Sequence, residues 1–132
     1  MKIALAQMRV IAGQPWKNFD KMRQFINQAR ENGCHIIAFP EMCVGGYLLA
    51  DRWTEDSWCY HLAAFNDRIR ELSDNIIVIY GNILIDNTRK NKDGRIRKYN
   101  AGFAFHNRKP LPRAGALPEG AAIKSLLPNY RI

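Results

Sequence analysis

Glu41 follows directly on the apolar run Ile36-Ile37-Ala38-Phe39, with only Pro40 between them. A buried strand delivers the side chains that follow it to the carboxyl end of a parallel sheet, where functional groups collect. A carboxylate there has a task or a partner, and the plainer alternative is a charged residue opening a solvated loop. Cys43, two residues on, adds a thiol that a nearby carboxylate could deprotonate, although neighbours two apart on a loop rarely converge on one reacting atom. Cys34, ahead of the run, and Cys59, in an apolar-periodic stretch, read as structural thiols, and so does Cys43. Together with His35 and His61 these cysteines match none of the close spacings of structural zinc sites, so no metal is expected, and His35, His61 and His106 read as ordinary polar residues. A different chemistry is suggested by Arg89, Lys90, Lys92, Arg95, Arg97, Lys98, Arg108 and Lys109, interleaved with Tyr99, Phe103 and Phe105: a basic hairpin that binds nucleic acid, against the plainer reading of a solvated basic hairpin.

The elements that must carry these side chains follow from the hydrophobic pattern. Ile3 to Ala6, Ile36 to Phe39 and Ile76 to Tyr80 are apolar runs without polar alternation and read as strands buried on both faces. Between the first two, Trp16, Phe19, Met22, Ile26 and Ala29 recur every three or four residues, with Pro15 suited to a first helical turn and Asn32-Gly33 to a C-terminal cap. Between the second and third, Trp58, Leu62, Phe65, Ile69 and Leu72 keep the same period behind a cap candidate and acids at Thr54, Glu55 and Asp56. Strands alternating with helices of this length predict parallel pairing, because a parallel crossover needs a long connection. The pattern then changes. Ile83 to Ile85 leads through Asn87 to Gly94 into Ile96 to Phe105, which predicts an antiparallel hairpin. Residues 110 to 120, rich in proline and glycine, read as an irregular connection, and Ala121 to Leu127 as a last short strand or an extended loop. No internal repeat or dividing linker is visible, and the expected fold class is α/β in one unit.

Bulk properties narrow the partners. With 47% hydrophobic and 24% charged residues the composition is globular and excludes a disordered tail or a fibre. No apolar run approaches the roughly 20 residues of a membrane span, the start breaks to Arg9 too soon for a signal peptide, and three cysteines are an odd number for a disulfide framework. A cytoplasmic location is expected. The net charge of +8 lies in the last third: residues 1 to 88 hold 9 basic and 10 acidic side chains, residues 89 to 132 hold 11 basic ones with only Asp93 and Glu119. Such asymmetry fits a nucleic-acid surface, an acidic partner, or a part of a larger molecule whose acids lie elsewhere.

Ala38-Phe39-Pro40-Glu41-Met42-Cys43-Val44-Gly45-Gly46-Tyr47 resembles the first signature of the nitrilase superfamily of carbon-nitrogen hydrolases, a strand ending in Phe-Pro-Glu with Gly-Tyr soon afterwards. Met1 to Gln7 is similar to the way these proteins begin. Lys124-Ser125-Leu126-Leu127-Pro128-Asn129-Tyr130 resembles the second signature, in the form found in the glutaminase domains of glutamine-dependent NAD synthetases. The resemblance covers the whole chain and implies the first half of the family's αββα sandwich: a mixed sheet with helices on one side. It also implies a mechanism in which a glutamate takes a thiol proton, the thiolate attacks an amide carbon, and a lysine holds the developing oxyanion.

Carried over by position, Glu41 is the general base, Lys124 the oxyanion-stabilising lysine, and Tyr47 and Tyr130 shape the substrate pocket. The plainer readings are a solvated surface charge for Lys124 and packing roles for the two tyrosines. The family's cysteine lies later than any residue here, so residues 1–132 are expected to be one partial hydrolase domain, truncated before its nucleophile and inactive by itself. The implied substrate is a small-molecule amide, glutamine above all, whose ammonia would serve NAD synthesis. Another small amide or a nitrile is the alternative within the family, and a non-enzymatic nucleic-acid-binding module the alternative outside it. No cofactor is expected for the hydrolase step. An uncovered sheet face predicts self-association or docking of the remainder of the domain.

Overall fold

A computed structural model of the chain describes residues 1–113, 115, 118 and 120–126. In chain order they form strand β1 (Ile3–Leu5), helix α1 (Pro15–Glu31), β2 (Ile36–Ala38), a 3₁₀ turn (Ala50–Thr54), helices α2 (Asp56–Ala63) and α3 (Phe65–Arg70), and strands β3 (Ile77–Lys90), β4 (Ile96–His106), β5 (Lys109–Pro110) and β6 (Ala121–Ile123). β1, β2 and β3 pair in parallel with Ile3, Ile36 and Ile77 in register. β3 and β4 pair antiparallel from Val78↔Phe105 onward, and β5 and β6 both pair with β4. The sheet is therefore mixed, as expected.

Side chains alternate across a strand, so each strand offers one set of residues to each face. Val78 and Tyr80 on β3, and Ala101, Phe103 and Phe105 on β4, face the helices and are buried. α1 contributes Met22, Ile26 and Ala29 to the same core, and α2 and α3 contribute Trp58, Leu62, Phe65 and Ile69. Tyr80 stacks on Phe103 at 5.3 Å between ring centroids, while its hydroxyl donates to Asn66. Buried Asn82 donates to Asn66 and to the Leu62 carbonyl, which ties β3 to the helices.

Several expectations are corrected. β1 and β3 are covered on one face only: Ile3, Leu5 and Ile79, pointing away from the helices, are all exposed. Ile76–Tyr80 and Ile83–Ile85 belong to one long strand, because Gly81 and Asn82 bury between them instead of breaking it. The helical stretch after Glu55 bends at Ala64 into α2 and α3, and no side chain caps α2, since the Thr54 hydroxyl donates to the Asp51 carbonyl. Residues 110 to 120 are not wholly irregular, because Pro110 belongs to β5. α1 follows its pattern, with Pro15 at its start and Gly33 at φ +71° beyond Asn32, but Trp16 stays half-exposed beside Phe65.

Candidate active site

The segment that leaves β2 crosses β3 at Gly81, where an added Cβ would collide with the Met42 nitrogen and stand 2.8 Å from the Glu41 Cα. Only glycine admits that crossing, and the crossing puts Glu41 on the sheet face opposite the helices. Met42 turns the chain at φ +49°, a left-handed conformation that costs energy for a side-chain-bearing residue. Buried Asn18 of α1 repays part of it: its amide donates to the Ile11 and Val44 carbonyls and its oxygen accepts from the Ile11 N–H. The loop that carries Glu41 and Tyr47 is thus fastened to a helix from below.

On the other side, β6 aligns Ala121 to Ile123 against Phe103 to Ala101, and the Lys124 N–H donates to the Asn100 carbonyl at 2.9 Å. That register delivers the Lys124 ammonium to Glu41 Oε1, also at 2.9 Å, across 83 positions of sequence. The Asn100 side chain donates both to Glu41 Oε1 and to the Tyr47 hydroxyl, the latter at 3.1 Å. Of the residues singled out from sequence, Glu41, Lys124 and Tyr47 meet in one cluster, whereas Tyr130 lies outside the described residues. Asn100 was missed. Its signal was available: it is a polar residue in a strand whose alternate positions Ala101, Phe103 and Phe105 form a core face, so it had to point to the other side.

Hydrogen bonding by the Tyr47 hydroxyl, then the Lys124 ammonium and the Asn100 amide, holds the Glu41 carboxyl down at about 2. Glu41 is therefore ionised at ordinary pH. The same hydrogen bond raises Lys124 above the usual lysine range. Burial, reinforced by Glu41, raises the Tyr47 phenol, so it stays a neutral donor. Both partners of the ion pair remain partly exposed, at 39% for Lys124 and 47% for Glu41, which leaves the pair accessible to a substrate.

No described thiol reaches this cluster. Cys43, two residues from Glu41, is fully buried with its Sγ against the Met22 sulfur and the Gly81 carbonyl, and burial pushes its thiol up to about 12. Cys59 is buried and donates to the Trp53 carbonyl, with a thiol likewise raised by burial. The basic hairpin does not expose all of the aromatic residues interleaved in its sequence. Phe103 and Phe105 are core residues, and Arg89, Arg95 and Arg108 pair with Asp86, Asp93 and Asp74.

Two clefts meet at Asn100. One, of about 400 Å³, runs over the open sheet face past Glu41, Ile79, Gly102 and Lys124. The other, of about 460 Å³, has Met42, Trp53, Ile83 and Tyr99 as walls and shares Tyr47 and Asn100 with the cluster.

The carbon-nitrogen hydrolase family model matches residues 2–123. The chain belongs to that family. It is 28% identical over 82 residues to a glutamine-dependent NAD(+) synthetase of Xylella fastidiosa, a match that covers 61% of this chain and 15% of that protein. The structure of glutamine-dependent NAD+ synthetase from Acinetobacter baumannii, in complex with ADP, superposes with a TM-score of 0.65 at 25% identity, covering 98% of this chain and 22% of the other. A mutant of the amidase from Nesterenkonia sp. AN1 in complex with butyramide superposes with a TM-score of 0.74 at 18% identity, covering 98% of this chain and 44% of the amidase. The carbon-nitrogen hydrolase chain described here therefore spans less than a quarter of the synthetases and less than half of the amidase. Its mixed sheet with helices on one side is part of the nitrilase-like fold.

Proposed function

We propose that the Glu41–Lys124 cluster is the base and oxyanion part of an amide-hydrolysing site that acts on glutamine and supplies ammonia for NAD synthesis. The observation that carries this reading is the 2.9 Å ion pair between two residues 83 positions apart, held on a cleft by Asn100 and Tyr47. In the proposed cycle a cysteine thiol gives its proton to Glu41, and its sulfur forms a bond to the amide carbon. The proton neutralises Glu41, which weakens its hold on Lys124 and frees the ammonium to turn toward the new oxyanion. The carbon-nitrogen bond then breaks, the nitrogen takes the proton and leaves as ammonia, and water cleaves the thioester to release the acid and restore the thiol. Every step is proton transfer or substitution at carbon, so no cofactor is required.

The nucleophile in this scheme is none of Cys34, Cys43 and Cys59. Residues 1–132 are accordingly proposed to form a partial hydrolase domain, inactive by itself. The exposed Ile3, Leu5 and Ile79 support covering of the open sheet face by the rest of such a domain or by a second copy. Among the described residues no helix is long and apolar enough to cross a membrane, and a cytoplasmic setting remains part of the proposal.

NMR-monitored titration of the chain with glutamine and with butyramide tests the site. Shifts centred on Tyr47, Asn100 and Lys124, lost in Glu41→Gln, are expected. A titration that leaves those signals unmoved at high millimolar amide overturns the reading, and ammonia release from glutamine by the chain itself overturns the assignment of the cysteines.

A further inference from the structure

Asn100 ties the cluster together. Its main-chain carbonyl accepts the Lys124 N–H at 2.9 Å, and its side chain bonds Glu41 and Tyr47. Ionised Glu41 can only accept, so the nitrogen of the Asn100 amide must face it, and the N–H groups of that nitrogen are taken by Glu41 and the Tyr47 hydroxyl. The amide oxygen, Oδ1, is thereby turned away from the carboxylate. Among the described residues no donor bonds to that oxygen, and it is not buried. Asn100 borders both clefts, so Oδ1 stands beside the ion pair as an acceptor open to a bound molecule.

The rest of the cluster leaves that acceptor a distinct task. Lys124 and Tyr47 are donors, and an amide carbonyl, an ester carbonyl or a nitrile nitrogen would each satisfy them. Glu41 accepts, but it already holds Lys124, Asn100 and Tyr47, and its remaining capacity is needed for the thiol proton. We infer that Asn100 is a specificity-determining residue: its Oδ1 accepts an N–H of the substrate's primary amide and so selects amides over nitriles and esters. This rests on the amide-hydrolase reading above and adds the group that recognises the bond to be broken. Held by Oδ1, the amide nitrogen lies next to Glu41, so the proton that Glu41 has taken from the thiol passes to it as the carbon-nitrogen bond breaks and ammonia leaves. A nitrile or an ester brings no N–H, and its binding would take water from Oδ1 without replacing the lost hydrogen bond, which costs affinity.

The test titrates butyramide, butyronitrile and methyl butyrate into the full chain and its Asn100→Ala variant. The probes share the same carbon chain and differ in the N–H groups, which only butyramide has. Butyramide is expected to bind the unaltered chain about fivefold more tightly than either of the others, the size of one neutral hydrogen bond. It should also move the carbon-13 signal of the Asn100 side-chain carbonyl, which the other two leave in place. In Asn100→Ala the preference should vanish; the ratio of affinities is the readout, because release of Glu41 and Tyr47 acts on all three probes. Equal affinities in the unaltered chain, or a preference that survives in Asn100→Ala, overturns the role of Asn100 and leaves the Glu41–Lys124 site standing. If the variant does not fold, the Asn100 carbonyl signal decides alone, since an equal response to butyramide and butyronitrile overturns the role. Failure of all three probes to bind the unaltered chain overturns the amide site and the role of Asn100 together.

Discussion

The two faces of the sheet are built on opposite terms. Toward the helices, Tyr80, Phe103 and Phe105 stack on one another under Leu62, Phe65 and Ile69, and the side-chain amide nitrogens of Asn66 and Asn82 donate within the protein. Away from the helices the same two strands present Ile79, Gly81, Asn100 and Gly102, a sparse surface on which Glu41 and Lys124 stand partly in water. Stability is invested on one face and chemistry on the other, and the backbone of β3 and β4 is what the two share. Such a division lets the polar cluster carry charge that a packed core would not tolerate.

Substitutions one residue apart test that division most directly. Tyr80→Ala removes a buried ring, its stack on Phe103 and a hydrogen bond to Asn66, and should cost about 3 to 5 kcal/mol in denaturant unfolding. Ile79→Ala, on the neighbouring position but the open face, should cost under about 1 kcal/mol. Equal losses would mean that the open face is covered in solution, which sedimentation would register as association. Gly81→Ala is expected to be the exception on the open face. Its Cβ meets backbone at Glu41 and Met42, not a flexible side chain, so a loss of roughly 2 to 3 kcal/mol should come with displacement of Glu41 from Lys124, visible by NMR.

Much of the covered face was legible in the sequence, because it follows from apolar periodicity alone: Met22, Ile26 and Ala29 on α1, and Leu62, Phe65 and Ile69 after Glu55, all point inward as their spacing requires. The open face was less legible for a physical reason. Ile76 to Tyr80 has no polar residue to mark an uncovered side, so the run reads as doubly buried although Ile79 is exposed. The cluster was half legible. Glu41 and Lys124 came from two short motifs, but their meeting depends on β6 pairing with β4, a register no local pattern encodes, and Asn100 owes its importance to that register.

The buried thiol offers a smaller effect. Cys43 ionises near 9 in an unfolded chain and only near 12 in the folded one, so its contribution is complete below pH 9 and is lost as pH rises from 9 toward 12. About 1 kcal/mol should be gone by pH 10 from this group. Stability measured against pH in Cys43→Ala should lack that component, and an identical slope in both proteins would mean that Cys43 is less buried than its neighbours imply.

The smallest expected effect on stability comes from the pair that matters most for chemistry. The Glu41 carboxyl is lowered to about 2 from an ordinary 4.5, so whatever it contributes is present above pH 4.5 and is lost as pH falls toward 2. Both side chains are well exposed to solvent, and water screens their attraction, so Lys124→Met should change unfolding stability by less than about 1 kcal/mol. Its effect on Glu41 should be plain: loss of the ammonium raises the carboxyl toward the ordinary range, read by carbon-13 NMR titration of its side chain. Glu41 should nonetheless remain below 4.5, because Tyr47 and Asn100 still act on it. A carboxyl that does not move would mean that the ion pair is loose in solution, and the open face would then have to be described as a surface where charges gather without being held.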